Sequence, residues 1–148
     1  TTVFDSNAIL VYLATRYDDE ERRWLPRDPL VQARVQAWLS VAAGQIAFGP
    51  AAARLINVFG VQRDPQEAIA RAHALLKVME QHLGAQGFLA GDSPTIADIA
   101  GYSYLWAAPE GGVDLAPYPA VRAWLSRIEN LRGFVPFVQT PVGLRAAA

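Results

Sequence analysis

The chain contains no cysteine, and this absence excludes several kinds of chemistry. A protein without cysteine has no disulfide, no thiolate ligand for a metal ion and no cysteine nucleophile. Its two histidines, His73 and His82, have no carboxylate at a spacing that would complete a metal site, so we predict no bound metal. We expect both histidines to be exposed on helices. A glycine-rich phosphate loop is also missing.

Neither positively nor negatively charged residues are in excess. The 13 lysines and arginines nearly balance the 14 aspartates and glutamates, which gives a formal net charge of -1. That balance gives no electrostatic reason to bind nucleic acid or an anionic membrane. No segment has the length and uniform apolarity of a membrane span, and the first residues lack the order of a secretory signal. We therefore predict a globular protein with neither partner, and its lack of cysteine fits a reducing cytoplasm.

The alternation of apolar and polar residues that is typical of strands is absent, whereas apolar residues recur at helical spacing. The first predicted helix covers residues 6–17, with Ile9, Leu10 and Leu13 on one apolar face. At 148 residues the chain is long enough to bury a core.

Proline and glycine delimit the helices that follow. Pro29 and Pro65, each preceded by an aspartate, begin the second and third helices, because proline suits the first helical position. Gly60 and Gly84 are expected to end them. Within the second helix we expect a kink or break at Gly49–Pro50, because proline lacks an N–H group and clashes with the preceding turn.

Two further helices are predicted, over residues 95–105 and 117–130. We expect Phe134 and Phe137 to pack a final turn onto the core. The predicted fold class is therefore all-α, a bundle of about six helices.

The stretch Thr95-Ile96-Ala97-Asp98 has the spacing of a capping box, with Asp in place of the usual Glu. The Thr95 hydroxyl can accept a hydrogen bond from the Asp98 amide, and the Asp98 carboxylate can accept one from the Thr95 amide. Two free donors of the helix start would then be satisfied together. We interpret Thr95 and Asp98 as a structural cap.

The pair Asp5-Ser6 begins the first helix and permits two interpretations. Aspartate and serine cap helices in many proteins, so the pair can be an ordinary cap. A helix start also presents free N–H groups beside the serine hydroxyl, which suits a carboxylate, while the aspartate can hold an ammonium group. The second interpretation is a site for the zwitterionic amino-acid end of a ligand.

Three stretches in order resemble the soluble glutathione transferase family. Residues 4–14, FDSNAILVYLA, are similar to the family's acidic-Ser-x-Ala-Ile-x-x-Tyr-Leu signature. Residues 88–100, FLAGDSPTIADIA, resemble its second signature, and residues 119–128, PAVRAWLSRI, resemble its next helix. The resemblance covers essentially the whole chain.

The resemblance implies a two-domain parent protein that uses glutathione as co-substrate. By this likeness, residues 1–17 are a remnant of a thioredoxin-like domain, namely its last helix. Residues 18–27 are a linker, and residues 28–148 are the all-α C-terminal domain. Asp5 and Ser6 would then bind the γ-glutamyl end of glutathione. No residue here resembles the family's thiol-activating group, so we expect no catalytic residue and little or no transferase activity from this chain alone.

The resemblance also implies a pocket for a small electrophile and a homodimer formed through the second and third helices. We expect the pocket to be lined by Ala42, Gln45 and Phe48 of the second helix, together with Tyr102 and Trp106. Packing in the core is the alternative for each of these five residues. Two other functions stay open, namely a non-catalytic transferase-like module for interaction, and a ligand-carrying stress or regulatory protein.

Overall fold

The structure is a computed structural model that describes residues 2–18 and 24–142. The described residues form five helices and a short 3-10 turn at Ala108–Gly111. The helices are α1 (Ser6–Tyr17), α2 (Pro29–Phe59), α3 (Pro65–Ala85), α4 (Ile96–Leu105) and α5 (Pro119–Glu129). No strand occurs in this part of the chain, which confirms the all-α prediction, and five helices are close to the expected six. Half of the predicted linker, residues 19–23, lies outside the described residues.

The predicted helix starts at Pro29 and Pro65 are present. The Asp28 carboxylate accepts a hydrogen bond from Val31 N at 2.9 Å, and the Asp64 carboxylate accepts one from Gln66 N at 2.8 Å. Each aspartate therefore satisfies an amide that the first helical turn leaves free. At the other end of α2, Gly60 has φ 69°, a left-handed conformation that glycine adopts without a Cβ clash.

Of the kink or break expected at Gly49–Pro50, the break is wrong, because α2 is continuous. The segment Ala42–Ala51, called the π segment below, forms π-helical turns with Pro50 inside them. A π turn contains an extra residue, which relieves the clash of the proline ring with the preceding turn without ending the helix. Gly49 is also required for packing, since a Cβ there would lie 3.1 Å from Ala72 N on α3.

Helix α2 is central to the bundle. Its π segment packs against α3 and α4, while α5 packs against α3 and α1 against α4. By length and mean hydropathy (1.3), α2 alone among the described helices could cross a membrane, with 39% of the window buried in the bundle. The expectation that no segment reaches this length and apolarity therefore needs correction for α2. The length and hydropathy of α2 are weak evidence for a membrane span, because the central helix of a bundle passes the same test.

The capping box predicted at Thr95 and Asp98 is present at the start of α4. Asp98 is fully buried, and its Oδ2 atom accepts hydrogen bonds from Thr95 N at 2.8 Å and from the Thr95 hydroxyl at 3.1 Å. Its Oδ1 atom accepts two more, from Leu89 N at 2.9 Å and from Trp124 Nε1 at 2.8 Å. Asp98 therefore joins the loop before α4 and helix α5 to the cap.

Helix α5 takes its cap from another helix. The Glu80 carboxylate on α3 accepts hydrogen bonds from Ala120 N at 2.9 Å and Val121 N at 3.0 Å, in the first turn of α5. A carboxylate is favourable at that end because it meets free amides and the positive end of the helix dipole. The cap and the helix it serves are 40 residues apart, so no local sequence signal indicates the pairing.

The two histidines are half-buried and hydrogen-bonded, so the expectation that they are exposed is wrong. His73 Nδ1 lies 2.9 Å from the Tyr118 hydroxyl oxygen, and His82 Nε2 lies 2.8 Å from the carbonyl oxygen of Leu89. Both rings fill space between α3 and later parts of the chain. No group of residues that could hold a metal ion occurs in the described ranges.

Helix α1 packs through a different face from the one expected. Leu10, Val11 and Ala14 contact the core, whereas Ile9 and Leu13 are 40% and 45% exposed. Several large apolar and aromatic residues are exposed beside the polar Thr15 and Arg16. They are called the α1 outer face below and consist of Phe4, Ile9, Tyr12, Leu13 and Tyr17.

Asp98 generates the first prediction. In Asp98→Asn the amide group has only one acceptor oxygen, so donors that the carboxylate satisfied lose their partner in a buried site. We expect a loss of about 3–5 kcal/mol in the free energy of unfolding, the range for breaking a buried polar network. Urea unfolding followed by circular dichroism measures it. Asp92→Asn is the control, because Asp92 is exposed. Equal midpoints for both variants would contradict the assignment.

Candidate functional site

A cleft of about 790 Å³ opens between the start of α1, the middle of α2, helix α4 and the segment that follows α5. Four of the residues singled out in the sequence line it, namely Asp5, Ser6, Ala42 and Tyr102. The rest of the lining is largely apolar. The cleft is large enough for a ligand of drug size with a polar end at α1.

Asp5 occupies the N-cap of α1 in an unusual conformation. Its φ of 76° makes it the one non-glycine residue with positive φ in the described ranges. Such a conformation costs on the order of 1–3 kcal/mol, so the surrounding contacts must hold it. The Asp5 Oδ1 atom accepts from Ala8 N at 2.9 Å, and the Asp5 carbonyl accepts from Ile9 N at 3.0 Å.

Ser6 is the first residue of α1 and is exposed in the cleft. Within the described ranges no hydrogen-bond partner is found for its hydroxyl. The Asp5 Oδ2 atom is likewise not used by the cap. A helix start with a free hydroxyl, free amides and a carboxylate oxygen can donate to a carboxylate and accept from an ammonium group at the same time.

Tyr102 forms part of the cleft wall, but its hydroxyl is already engaged. It donates to Glu129 Oε1 at 3.0 Å. Burial, together with the hydrogen bond to Glu129 and its negative charge, raises the pKa of Tyr102 well above its ordinary value. The phenol therefore stays protonated and directed at Glu129, which makes it a poor candidate for activating a thiol.

Two phenylalanines complete this wall, and the sequence indicated them only as packing residues. The Phe134 ring meets the Tyr102 ring edge to face with centroids 5.4 Å apart, and Phe137 lies 6.1 Å from Tyr102. Trp106 is 5.6 Å from Phe137 but does not itself line the cleft. Phe134 and Phe137 are thus site residues that the sequence reasoning missed. The available signal was two aromatic residues shortly after the last predicted helix.

The segment carrying these phenylalanines is fastened beyond the cleft at Thr140. Glu110 Oε1 accepts a hydrogen bond from Thr140 N at 2.9 Å, and the Thr140 hydroxyl lies 2.7 Å from Arg54 Nη2. Arg54 Nε and Glu110 Oε2 form an ion pair at 2.6 Å. We call Arg54, Glu110 and Thr140 the clasp. It joins α2, the 3-10 turn and the end of the described chain.

The structure separates Gln45 and Phe48 from the other predicted pocket residues. They line a second groove of about 550 Å³ between α2 and α3, together with Trp38, Leu75 and Val78. The cleft is lined instead by Ala42, Ala43 and Ala47. Val41, Gln45 and Phe48 recur at intervals of four and three residues, as on one face of an ordinary helix, and this face of α2 turns away from the cleft. The structure therefore places Gln45 and Phe48 outside the cleft that Ala42 lines.

Comparison with known proteins gives a consistent result. Residues 37–131 match the family model described as glutathione S-transferase, C-terminal domain. Glutathione S-transferase F14 of Arabidopsis thaliana is 31% identical over 141 residues, which cover 86% of this chain and 55% of that protein. The chain thus spans about half the length of that relative.

Two solved structures are similar in fold. A glutathione S-transferase from Pseudomonas fluorescens has a TM-score of 0.83 and 32% identity, covering 90% of this chain and 67% of that one. A glutathione transferase homolog from Drosophila mojavensis, solved with bound glutathione, has a TM-score of 0.77 and 29% identity. That match covers 90% of this chain and 62% of the homolog.

The clasp generates a prediction about pH. Burial raises the pKa of Glu110, but the hydrogen bond from Thr140 and the Arg54 guanidinium outweigh burial and hold it below its ordinary value. A lowered folded-state pKa means that the clasp contributes stability at neutral pH, and that this contribution is lost as the pH falls through the folded-state pKa. We expect the Thr140 amide to lose protection from hydrogen exchange at pH values below about 4, where carboxylates protonate.

The same loss should occur at neutral pH in Glu110→Gln. Glu67→Gln is the matched control, because Glu67 also pairs with an arginine, Arg71 at 2.7 Å, but on an exposed surface away from the segment. Unchanged protection of Thr140 in Glu110→Gln would show that the clasp does not hold the segment.

Proposed function

Because this chain belongs to the glutathione transferase family, we propose that its cleft takes part in the conjugation or isomerisation of small electrophiles with glutathione, the co-substrate, held by Asp5 and Ser6. One observation carries the proposal. The start of α1 presents a free serine hydroxyl and a free carboxylate oxygen at the polar end of an otherwise apolar cleft.

The γ-glutamyl end of glutathione has an ammonium and a carboxylate on one carbon, and the start of α1 offers a partner for each. The Ser6 hydroxyl and the free amides of the first turn suit the carboxylate, and Asp5 Oδ2 suits the ammonium. The positive φ of Asp5 supports this role, because strained residues persist where a site needs a fixed geometry.

The remaining step is activation of the thiol, which needs a placed donor that stabilises the thiolate. Within the described part of the cleft, the Tyr102 hydroxyl donates to Glu129, and the Ser103 hydroxyl donates to the carbonyl oxygen of Ala100 at 3.4 Å. Neither of these two hydroxyls is free for a thiol, whereas the Tyr104 hydroxyl, which also lines the cleft, has no hydrogen-bond partner in the described ranges. In this proposal the donor comes, as the family resemblance implies, from a thioredoxin-like domain packed on the α1 outer face, with residues 1–17 as its last helix, 18–27 as linker and 28–148 as the helical domain. The chain alone is then nearly inactive.

The proposed assembly is a homodimer in the cytoplasm. The second groove supports it, since Phe48 and Val78 are each 60% exposed beside Trp38 on α2 and α3. Exposed apolar clusters of this kind are typical of interaction surfaces. A non-catalytic ligand-binding or interaction module is the second candidate, and the engagement of the Tyr102 and Ser103 hydroxyls within the bundle favours it.

The test uses protein expressed from the native gene, whose intact mass shows whether a further domain is present. We expect that protein, unlike the 148-residue chain, to conjugate glutathione to 1-chloro-2,4-dinitrobenzene. Ser6→Ala should raise the KM for glutathione by about tenfold or more, because it removes a hydrogen bond to a charged group. Ser93→Ala, at an exposed position, is the control.

Two results would count against the proposal. An unchanged KM for glutathione in Ser6→Ala would show that glutathione does not bind at the start of α1. A native mass equal to that of this chain, without conjugation, would favour the non-catalytic module.

A further inference from the structure

We infer that the second substrate of this cleft is a flat aromatic molecule with one anionic group, a carboxylate or sulfonate, which pairs with Arg132. The inference rests on the proposed function in taking the cleft as the substrate site. It goes beyond that function because it names the substrate class and the residue that selects it.

The aromatic part of the ligand follows from the wall. Tyr102 and Phe137 are nearly parallel, with 23° between their planes, while Phe134 meets Tyr102 at 89°. Phe137 is 52% exposed, so ring surface remains for a ligand after the wall has packed. Flat rings bind such walls by offset stacking on one ring and edge contact with another. The wall therefore favours a planar ring over a branched chain.

The charge of the ligand follows from Arg132. It is the only lysine or arginine that lines the cleft in the described part of the chain, and it directly precedes the phenylalanine wall. Gly133, with φ 84°, turns the chain between Arg132 and Phe134, and both residues face the same cleft. A ligand stacked on the wall thus has a cation at its border.

Within the described ranges, Arg132 forms no ion pair with an acid. Glu129 stands three residues earlier, a spacing that permits a pair, but Glu129 accepts from the Tyr102 hydroxyl. The one acid in the described cleft lining, Asp5, caps α1 through Oδ1 and is not paired with Arg132. The ion pairs found in the described ranges involve Arg54 and Arg71 only. A planar guanidinium without a partner suits a carboxylate or sulfonate, which it can bind through two parallel hydrogen bonds.

A pair of dyes tests the inference on the chain itself, without glutathione. The probes are 1-anilinonaphthalene-8-sulfonate and N-phenyl-1-naphthylamine, which share a ring system and differ in the sulfonate. We expect Arg132→Gln to weaken the affinity for the sulfonate dye by about threefold to tenfold. The affinity for the neutral dye should stay the same within twofold. The preference for the sulfonate should also decline with salt in the parent chain but not in the variant.

Arg71→Gln is the matched control, because Arg71 lines the second groove. Arg132 is exposed, so its replacement leaves the core intact, and thermal unfolding checks this. Equal loss of both dyes in Arg132→Gln, or a sulfonate affinity that depends on Arg71 instead, would overturn the inference.

A kinetic pair extends the test to the protein from the native gene. The acceptors are 1-chloro-2,4-dinitrobenzene and 4-chloro-3,5-dinitrobenzoate. In each, the glutathione thiolate forms a C–S bond at the ring carbon and chloride leaves with the electron pair of the C–Cl bond. We expect Arg132→Gln to raise the KM for the benzoate threefold to tenfold over that for the neutral acceptor.

The outcomes separate the two claims. No conjugation of either acceptor refutes the proposed function, and the dye result then decides the inference. Conjugation of both with an unchanged ratio of KM values overturns the inference and leaves the function standing. An equal rise in the KM for glutathione with both acceptors also overturns it, because Arg132 would then bind glutathione.

Discussion

The fold depends on one buried carboxylate. Asp98 is the only fully buried charged side chain in the described ranges, and its four hydrogen bonds come from Leu89, Thr95 and Trp124. A buried carboxylate without donors would be very costly, so the loop, the start of α4 and helix α5 must all reach their places for it to be satisfied. Since α4 carries Tyr102 and the segment after α5 carries Phe134, the same carboxylate fixes two sides of the cleft.

Helix α2 serves two surfaces because two different faces of its middle turns meet the cleft and the second groove. Ala42, Ala43 and Ala47 face the cleft with small side chains, which leaves the space for a ligand. Gln45 and Phe48 face the second groove. Val41, Gln45 and Phe48 repeat at four and three residues, the ordinary helical spacing. The wider π turn accounts for Pro50 inside the helix, and the same ten residues contribute side chains to both sites.

The parts that could be predicted were local. Caps at Asp28, Asp64 and Thr95 need only neighbours within three residues, and each is present. The parts that were missed join distant residues or depend on the helix type. Glu80 caps a helix 40 residues later, and His73 meets Tyr118 across 45 residues. Which face of α2 meets the cleft depends on contacts with distant parts of the chain, so the sequence did not separate Gln45 and Phe48 from Ala42.

The distinction between local and long-range contacts also applies to the two ends of the cleft. The sequence predicts the polar end better than the aromatic end. The polar end is two adjacent residues at a helix start, so a short motif carries its whole geometry. The aromatic end is assembled from Tyr102, from Phe137 and from the clasp, whose Arg54 and Thr140 are 86 residues apart. The clasp in turn needs Gly111, since a Cβ there would lie 2.6 Å from Arg54 N. A motif therefore suffices to propose a ligand at α1, whereas the contacts proposed to select the acceptor are ones that only the folded chain brings together.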